Sequence, residues 1–340
     1  MTEIEIVGSG VAGLTAAHAF AKAGARVRLV TASDGPDAGC CSWWAGGMLA
    51  PDCEMEAAEP VIGQLGEEGA AFWRGRGPGP VEGGTLVVAA GRDVPDLARF
   101  ARVTQGHRRV GRDEIAALEP ELGERFSTGL FFEGEAHLDP RAALATLWED
   151  LPGMGVSVER RRLSARELAQ GPAAGMRIDC RGLAARDALT GLRGVRGEMA
   201  VVRAPQVSLT RTVRLLHPRW PLYVVQRGEG VFMVGATQIE SERRGPVTVR
   251  SMLELLSALY ALAPAFGEAE VIETGADLRP AFSDNLPRLV RRGRVLYVNG
   301  LYRHGFLCAP ALARRAVEHL LEGRHFPEVM DADHAERQDA

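Results

Sequence analysis

Three side chains in this sequence have the types and settings to hold a carboxylate. Arg279 stands beside a proline in DLRPAFSDNLPRL, residues 277–289, and Arg303 lies in a glycine- and aromatic-rich turn of VNGLYRHGFLCAPALA, residues 298–313. A guanidinium in so uncharged a setting calls for a partner, and its rigid fork of N–H donors matches a carboxylate bidentately. A structural salt bridge would answer the same need, and residue type leaves both open. Tyr223, in the hairpin-like HPRWPLYVVQRGEGVFMVGATQIES of residues 217–241, could offer its phenol to the same carboxylate or simply pack.

A second set of residues is suited to binding phosphates. IEIVGSGVAGLTAAHAFAKAGARVRLV, residues 4–30, reads as strand, glycine-rich turn, helix and strand. In that context Gly8 permits the tight turn, Gly10 lets backbone approach a pyrophosphate, and Gly13 lets helix and strand pack closely. The N-terminus of the helix then offers free N–H groups and partial positive charge to an anion. A Rossmann start with no ligand is the alternative. The end of the second strand normally carries an acid for a ribose hydroxyl, but Thr31 stands there, with Asp34 three residues on as a possible substitute. In SWWAGGMLAP, residues 42–51, paired glycines leave room for a flat ring against backbone, and Ser42 could bond a phosphate or a sugar hydroxyl. A loop carrying two core tryptophans fits the same letters.

The elements that must position these groups follow from pattern. Strands are expected at 84–89, 176–180, 198–203, 222–225, 231–235 and 295–299, and helices at 96–105, 112–118, from Pro140, at 248–262 and from Pro310 to Leu321. A polar stretch follows from about Glu322. The 340 residues, 46% hydrophobic and 25% charged, suit a soluble globular chain with a large core. A formal charge of −4 without a basic run argues against nucleic acid as a partner. No basic-then-apolar leader opens the chain and no apolar run approaches the roughly 20 residues that span a bilayer, so a cytoplasmic protein is expected. Cys40, Cys41, Cys53, Cys180 and Cys308 read as free packing thiols, and no metal site is expected.

VGSGVAGL, SWWAGGMLAP, GEAHLDPRAAL, DCRGLAAR, RGEM, LYVVQRGEGVFMVGAT, LRPAFSDNLP and NGLYRHGFLCAP occur here in the order found in flavin-dependent glycine oxidases. The chain thus resembles that family, within the D-amino-acid oxidase superfamily and in its thiamine-biosynthesis branch, from about Ile4 to Leu321. The resemblance implies an α/β fold: a Rossmann-type FAD-binding domain of residues 1–80, 137–195 and 277–325 with an inserted, mainly antiparallel β-sheet substrate domain of 81–136 and 196–276. A polar tail of 326–340 completes the expected division. The resemblance also implies that Gly8, Gly10, Val11, Ala12 and Gly13 bind the pyrophosphate of non-covalent FAD, near Thr31. Ser42, Gly46, Gly47, Met48 and Leu49 would cup the flavin. Arg279, Tyr223 and Arg303 would be the catalytic and substrate-binding residues. Gly300, Arg303, His304, Gly305, Phe306 and Leu307 would lie against the flavin, with backbone N–H groups stabilising charge on its reduced form.

The chemistry so implied is hydride transfer from the α-carbon of glycine, or of another small amino acid or amine, to flavin N5. The imine hydrolyses to a 2-oxo acid and ammonia, molecular oxygen is reduced to hydrogen peroxide, and the imine would serve thiazole formation. Positioning does most of the work, and no acid or base is assigned. A homo-oligomer is expected from the family. Gln238 stands where many members have methionine, and Gln226 where many have proline. Gln238 would add a polar group near the substrate, which motivates an alternative: a paralogous oxidase or dehydrogenase of an N-substituted or larger amino acid. A non-catalytic Rossmann-like binding protein, motivated by Thr31, is an alternative of another class.

Overall fold

In the computed structural model, residues 2–77 and 79–330 are described. The strand Glu3–Val7 lies between Arg26–Thr31 and Met176–Asp179, both parallel to it. Ser157–Arg160 extends this sheet on one side; Val295–Asn299, paired antiparallel with Arg288–Arg292, extends it on the other, for six strands in all. The fully buried Ile6, Leu29, Ile178 and Leu296 read as the apolar interior of a sheet covered by helices. Helices Val11–Lys22, Pro60–Arg74 and Gly305–Glu322 pack together in its core.

A second sheet has eight strands, in the order Glu270–Ala281, Arg193–Arg203, Val231–Gly235, Leu222–Gln226, Thr212–Leu216, Thr85–Ala89, Thr128–Phe132 and Arg108–Gly111. Its pairings are antiparallel except between Thr212–Leu216 and Thr85–Ala89. The helix Val249–Leu262, capped by Thr248 through its hydroxyl to the Ser251 N–H, covers one face. The architecture is the mixed α/β fold expected. The expected boundaries at 195/196 and 276/277 fall within two long strands, Arg193–Arg203 and Glu270–Ala281, which pair with each other. The second of these carries no clear alternation, because its first five residues, Glu270–Thr274, are mostly exposed.

Two expectations change. The final helix starts at Gly305 rather than near Pro310. Proline favours the first turn of a helix, but Pro310 sits more than one turn inside this one. The Phe306 carbonyl that Pro310 cannot satisfy accepts instead from the Trp73 indole N–H at 2.8 Å. Trp73→Phe keeps a ring and removes that donor. It is expected to destabilise the fold by about 1–3 kcal/mol, read as a lower urea midpoint at unchanged slope. The expected polar stretch from Glu322 is also not uniformly polar: Phe326 and Val329 are buried, and Pro327–Met330 forms a helical turn. Residues 331–340 of the expected tail lie outside the described residues. Among the described residues, no helix is long and apolar enough to cross a membrane.

Candidate active site

Both sheets contribute to a cavity of about 1090 Å³. At its phosphate-like end, Gly8 adopts φ +106°, a conformation glycine permits without strain, and its N–H donates to the Val30 carbonyl at 3.0 Å. Gly13 does not line the cavity: a Cβ there would come within 1.8 Å of the Gly8 carbonyl oxygen, so its role is the close packing of helix on turn. Gly10, Val11 and Ala12 line the cavity where the helix begins, and no acid in its first turn offsets the positive end. Ser42 lines it too, accepting the Val11 N–H at 3.1 Å.

Thr31 lines the same region and is 4% exposed; its hydroxyl bonds the Ser9 hydroxyl at 2.8 Å. Asp34, considered as a substitute acid, is instead exposed, pairs with Arg160 at 2.6 Å and does not line the cavity. At the end of the second strand the cavity thus meets the Thr31 and Ser9 hydroxyls rather than an acid.

Gly46, Gly47 and Met48 line the cavity, whereas Leu49 points into the core at 1% exposure. Gly300 also lies outside it: at φ +73° it turns the chain beneath the Phe282 ring, which a Cβ would meet at 2.4 Å. His304, Gly305, Phe306 and Leu307 bring the N-terminus of the last helix to the cavity. The volume of the cavity, the two helix N-termini and the glycine-lined approach fit a dinucleotide cofactor.

The two arginines differ in a way their sequence settings concealed. Arg279 lies opposite Val195, and its guanidinium passes over Gly197, where a Cβ would come within 2.3 Å of its Nη2. It donates to the Thr237 carbonyl at 3.0 Å and enters no ion pair among the described residues. Arg303 lines the cavity but is paired already, its Nη2 lying 2.8 Å from Glu54 Oε2.

Glu54 was not anticipated from sequence. It is 6% exposed and is also approached by His304 Nδ1 at 3.4 Å and Arg214 Nη1 at 3.5 Å. Burial opposes its charge, but Arg303, His304 and Arg214 outweigh that and hold the carboxyl at about 2. His304, pushed down to about 4 by burial and the surrounding arginines against the pull of Glu54, is neutral at pH 7. Glu54 Oε2, Arg303 Nη2 and Arg214 Nη1 are buried without an aligned hydrogen bond, so the cluster is held mainly by charge. Arg214 carried a readable signal, a lone charge inside the otherwise apolar strand Thr212–Leu216. Glu54 carried none, since in PDCEMEAAEP it looks like any solvated acid.

Tyr223, directly across the strand pair from Arg214, fills a slot between two glycines: a Cβ at Gly46 or at Gly235 would come within 2.8 Å of it. Burial raises its phenol pKa against the lowering effect of Arg279, keeping it a neutral donor. Gln238 lines the cavity and accepts a hydrogen bond from the Tyr302 hydroxyl at 3.1 Å. Tyr302, also missed in the sequence, has φ +50°, an uncommon backbone state for a bulky residue, and its N–H donates to the Pro280 carbonyl at 2.9 Å. The turn that carries Arg303 is thereby tied to the strand that carries Arg279.

Residues 3–319 match the family described as FAD dependent oxidoreductase, DAO. A Rhizobium etli protein bearing the name thiamine biosynthesis oxidoreductase ThiO is 51% identical over 96% of this chain and 98% of its own. The crystal structure of glycine oxidase from Geobacillus kaustophilus superposes with TM-score 0.79 at 22% identity, covering 96% of both chains. That of iminodiacetate oxidase from Chelativorans sp. BNC1 gives 0.79 at 25%, covering 95% of this chain and 96% of the other. With the family match spanning nearly its whole length, this chain belongs to the DAO family of FAD-dependent oxidoreductases.

Proposed function

We propose that this enzyme oxidises glycine or another small amino acid, giving an imine that hydrolyses to the 2-oxo acid and ammonia. The observation that carries this reading is Arg279, which lines the cavity beside Tyr223 and enters no ion pair among the described residues, whereas Arg303 and Arg214 share Glu54. The Arg279 guanidinium can therefore take a carboxylate bidentately, with the neutral phenol of Tyr223 close by. FAD, bound non-covalently, supplies the acceptor for a hydride from the α-carbon. The chain would hold its pyrophosphate at Gly8, Gly10, Val11 and Ala12, and its ring system between Ser42–Met48 and the N-terminus at His304–Leu307. Fixing the carboxylate orients the Cα–H bond, which is the principal contribution the protein makes. Neutral His304 beside Arg303 leaves the amine end free of an added fixed positive charge.

The parts built on the six-stranded sheet would bind the cofactor and the eight-stranded sheet would face the substrate. The name of the R. etli relative supports a place in thiamine biosynthesis; molecular oxygen is proposed as the acceptor, the cytoplasm as the location and a homo-oligomer as the assembly. A second reading, oxidation of a larger or N-substituted amino acid, draws on the Gln238–Tyr302 pair, which places a polar group beside the cavity.

An absorbance spectrum recorded before and after anaerobic addition of glycine tests the proposal. A flavin band that glycine bleaches is expected. A band untouched by glycine but bleached by a secondary amine would favour the second reading, and no flavin band after reconstitution with FAD would overturn both.

A further inference from the structure

A second cavity, of about 330 Å³, lies against the first, and Ala45 and Met199 line both. Alternate residues of a strand share a face, so Met199 and Val201 project together, as do Met233 and Gly235 on the neighbouring strand. Val201 pairs with Met233, and Gly235 pairs in turn with Tyr223. These residues form one apolar cluster, Met199, Val201 and Met233, with Trp44, Tyr223 and Ala236 packed on the side of the first cavity and Val231 on the side of the second. The outer rim includes exposed Ile272 and Glu229.

Most of the charges around this second cavity are matched to one another. Arg141 makes two hydrogen bonds to Glu273, both 2.9 Å, and lies over the Trp43 ring at 4.6 Å. Arg227 donates to the Gly46 carbonyl at 2.6 Å and the Leu138 carbonyl at 3.1 Å, with Asp139 at 3.9 Å. Glu229 sits on an exposed hairpin turn, in water. A polar ligand gains little here, since binding one would break existing pairs. A small apolar molecule needs no such partner and can pass a flexible methionine side chain.

We propose that this second cavity is the port by which molecular oxygen reaches the reaction site, with Met199 as the yielding partition. The inference rests on the oxidase reading above. Oxygen arriving there would take two electrons and two protons from the reduced cofactor and leave as hydrogen peroxide, while the amino acid would enter through the larger, arginine-lined cavity that also holds the cofactor.

Xenon, an apolar probe of similar size, is expected to occupy the space between Met199, Val201 and Met233 in xenon-pressurised crystals of the holoenzyme. Val201→Phe, which fills that space from a position outside the first cavity, is expected to abolish the xenon site. It should also slow reoxidation of dithionite-reduced enzyme by oxygen at least fivefold, with anaerobic bleaching by glycine changed less than twofold. Val231→Phe repeats the block from the other strand should Val201→Phe fold poorly. Absence of xenon from this site, or reoxidation at the wild-type rate in both variants, would overturn the port, as would a wild-type enzyme that oxygen does not reoxidise. Because dithionite replaces the substrate, failure of glycine to bleach the flavin would count only against the substrate reading.

Discussion

Arg279→Ala is expected to raise KM for glycine by two to three orders of magnitude while the purified protein stays yellow. The residue enters no ion pair among the described residues, so its removal strands no buried protein charge and the fold should be unaffected. What is lost is the bidentate grip on the substrate carboxylate. Truncating one partner of such a charge-assisted pair costs about 3–4 kcal/mol, and each ~1.4 kcal/mol is a factor of ten. Arg279→Lys should recover only part of this, because a point charge cannot reproduce the planar fork. If the carboxylate also orients the Cα–H bond, kcat falls together with the loss of affinity. Steady-state kinetics with glycine, alongside the flavin spectrum, checks the result. An unchanged KM would mean that the carboxylate binds elsewhere.

Glu54→Gln is expected to act mainly through stability. In the native protein one buried carboxylate answers Arg303 and lies within 3.5 Å of Arg214. Removing one member of a buried ionic cluster typically costs about 3–5 kcal/mol, because the remaining charges stay desolvated without a counter-charge. A fall in melting temperature on the order of 10 °C follows for a chain of this size. The same cluster makes the fold acid-sensitive. His304 has its native pKa depressed from 6.5 to about 4, so between those values the unfolded chain binds a proton that the native imidazole declines, and stability falls as pH drops through that window. Glu54, depressed from 4.5 to about 2, also contributes stability that is present above its unfolded value and lost as pH falls toward about 2. Urea unfolding at pH 7, 5 and 4 should show a steady decline for the wild type. A Glu54→Gln protein as stable as the wild type at pH 7 would refute the assigned role of the cluster.

Much of the six-stranded-sheet part of the fold is legible in the chain because it is local. Strand, turn, helix and strand follow one another within residues 3–31, and steric rules that act over a few residues demand glycine at Gly8 and Gly13. The hairpin strand Val231–Gly235 and the strand Val295–Asn299 likewise match their expected limits, since alternation and flanking turns mark them. Gly300 and Leu49 show where locality fails. Both sit in the right motif, yet whether a motif residue faces a cavity or the core depends on what packs against it, here Phe282 for the glycine and the first sheet's core for the leucine.

The sequence by itself determined the glycine turn, the alternation of the hairpin and the presence of an arginine at 279 and at 303. Tertiary structure alone decided which arginine remains available to a ligand. The choice depends on Glu54, which comes from a distant part of the chain and whose charge becomes decisive only once burial removes the water that would otherwise screen it. It likewise decided that Thr31 answers to Ser9, and that the last helix could begin ahead of its proline because a tryptophan from another helix satisfies the orphaned carbonyl. Local preference is written residue by residue, whereas pairing in a low-dielectric interior arises only from the fold that brings the partners together.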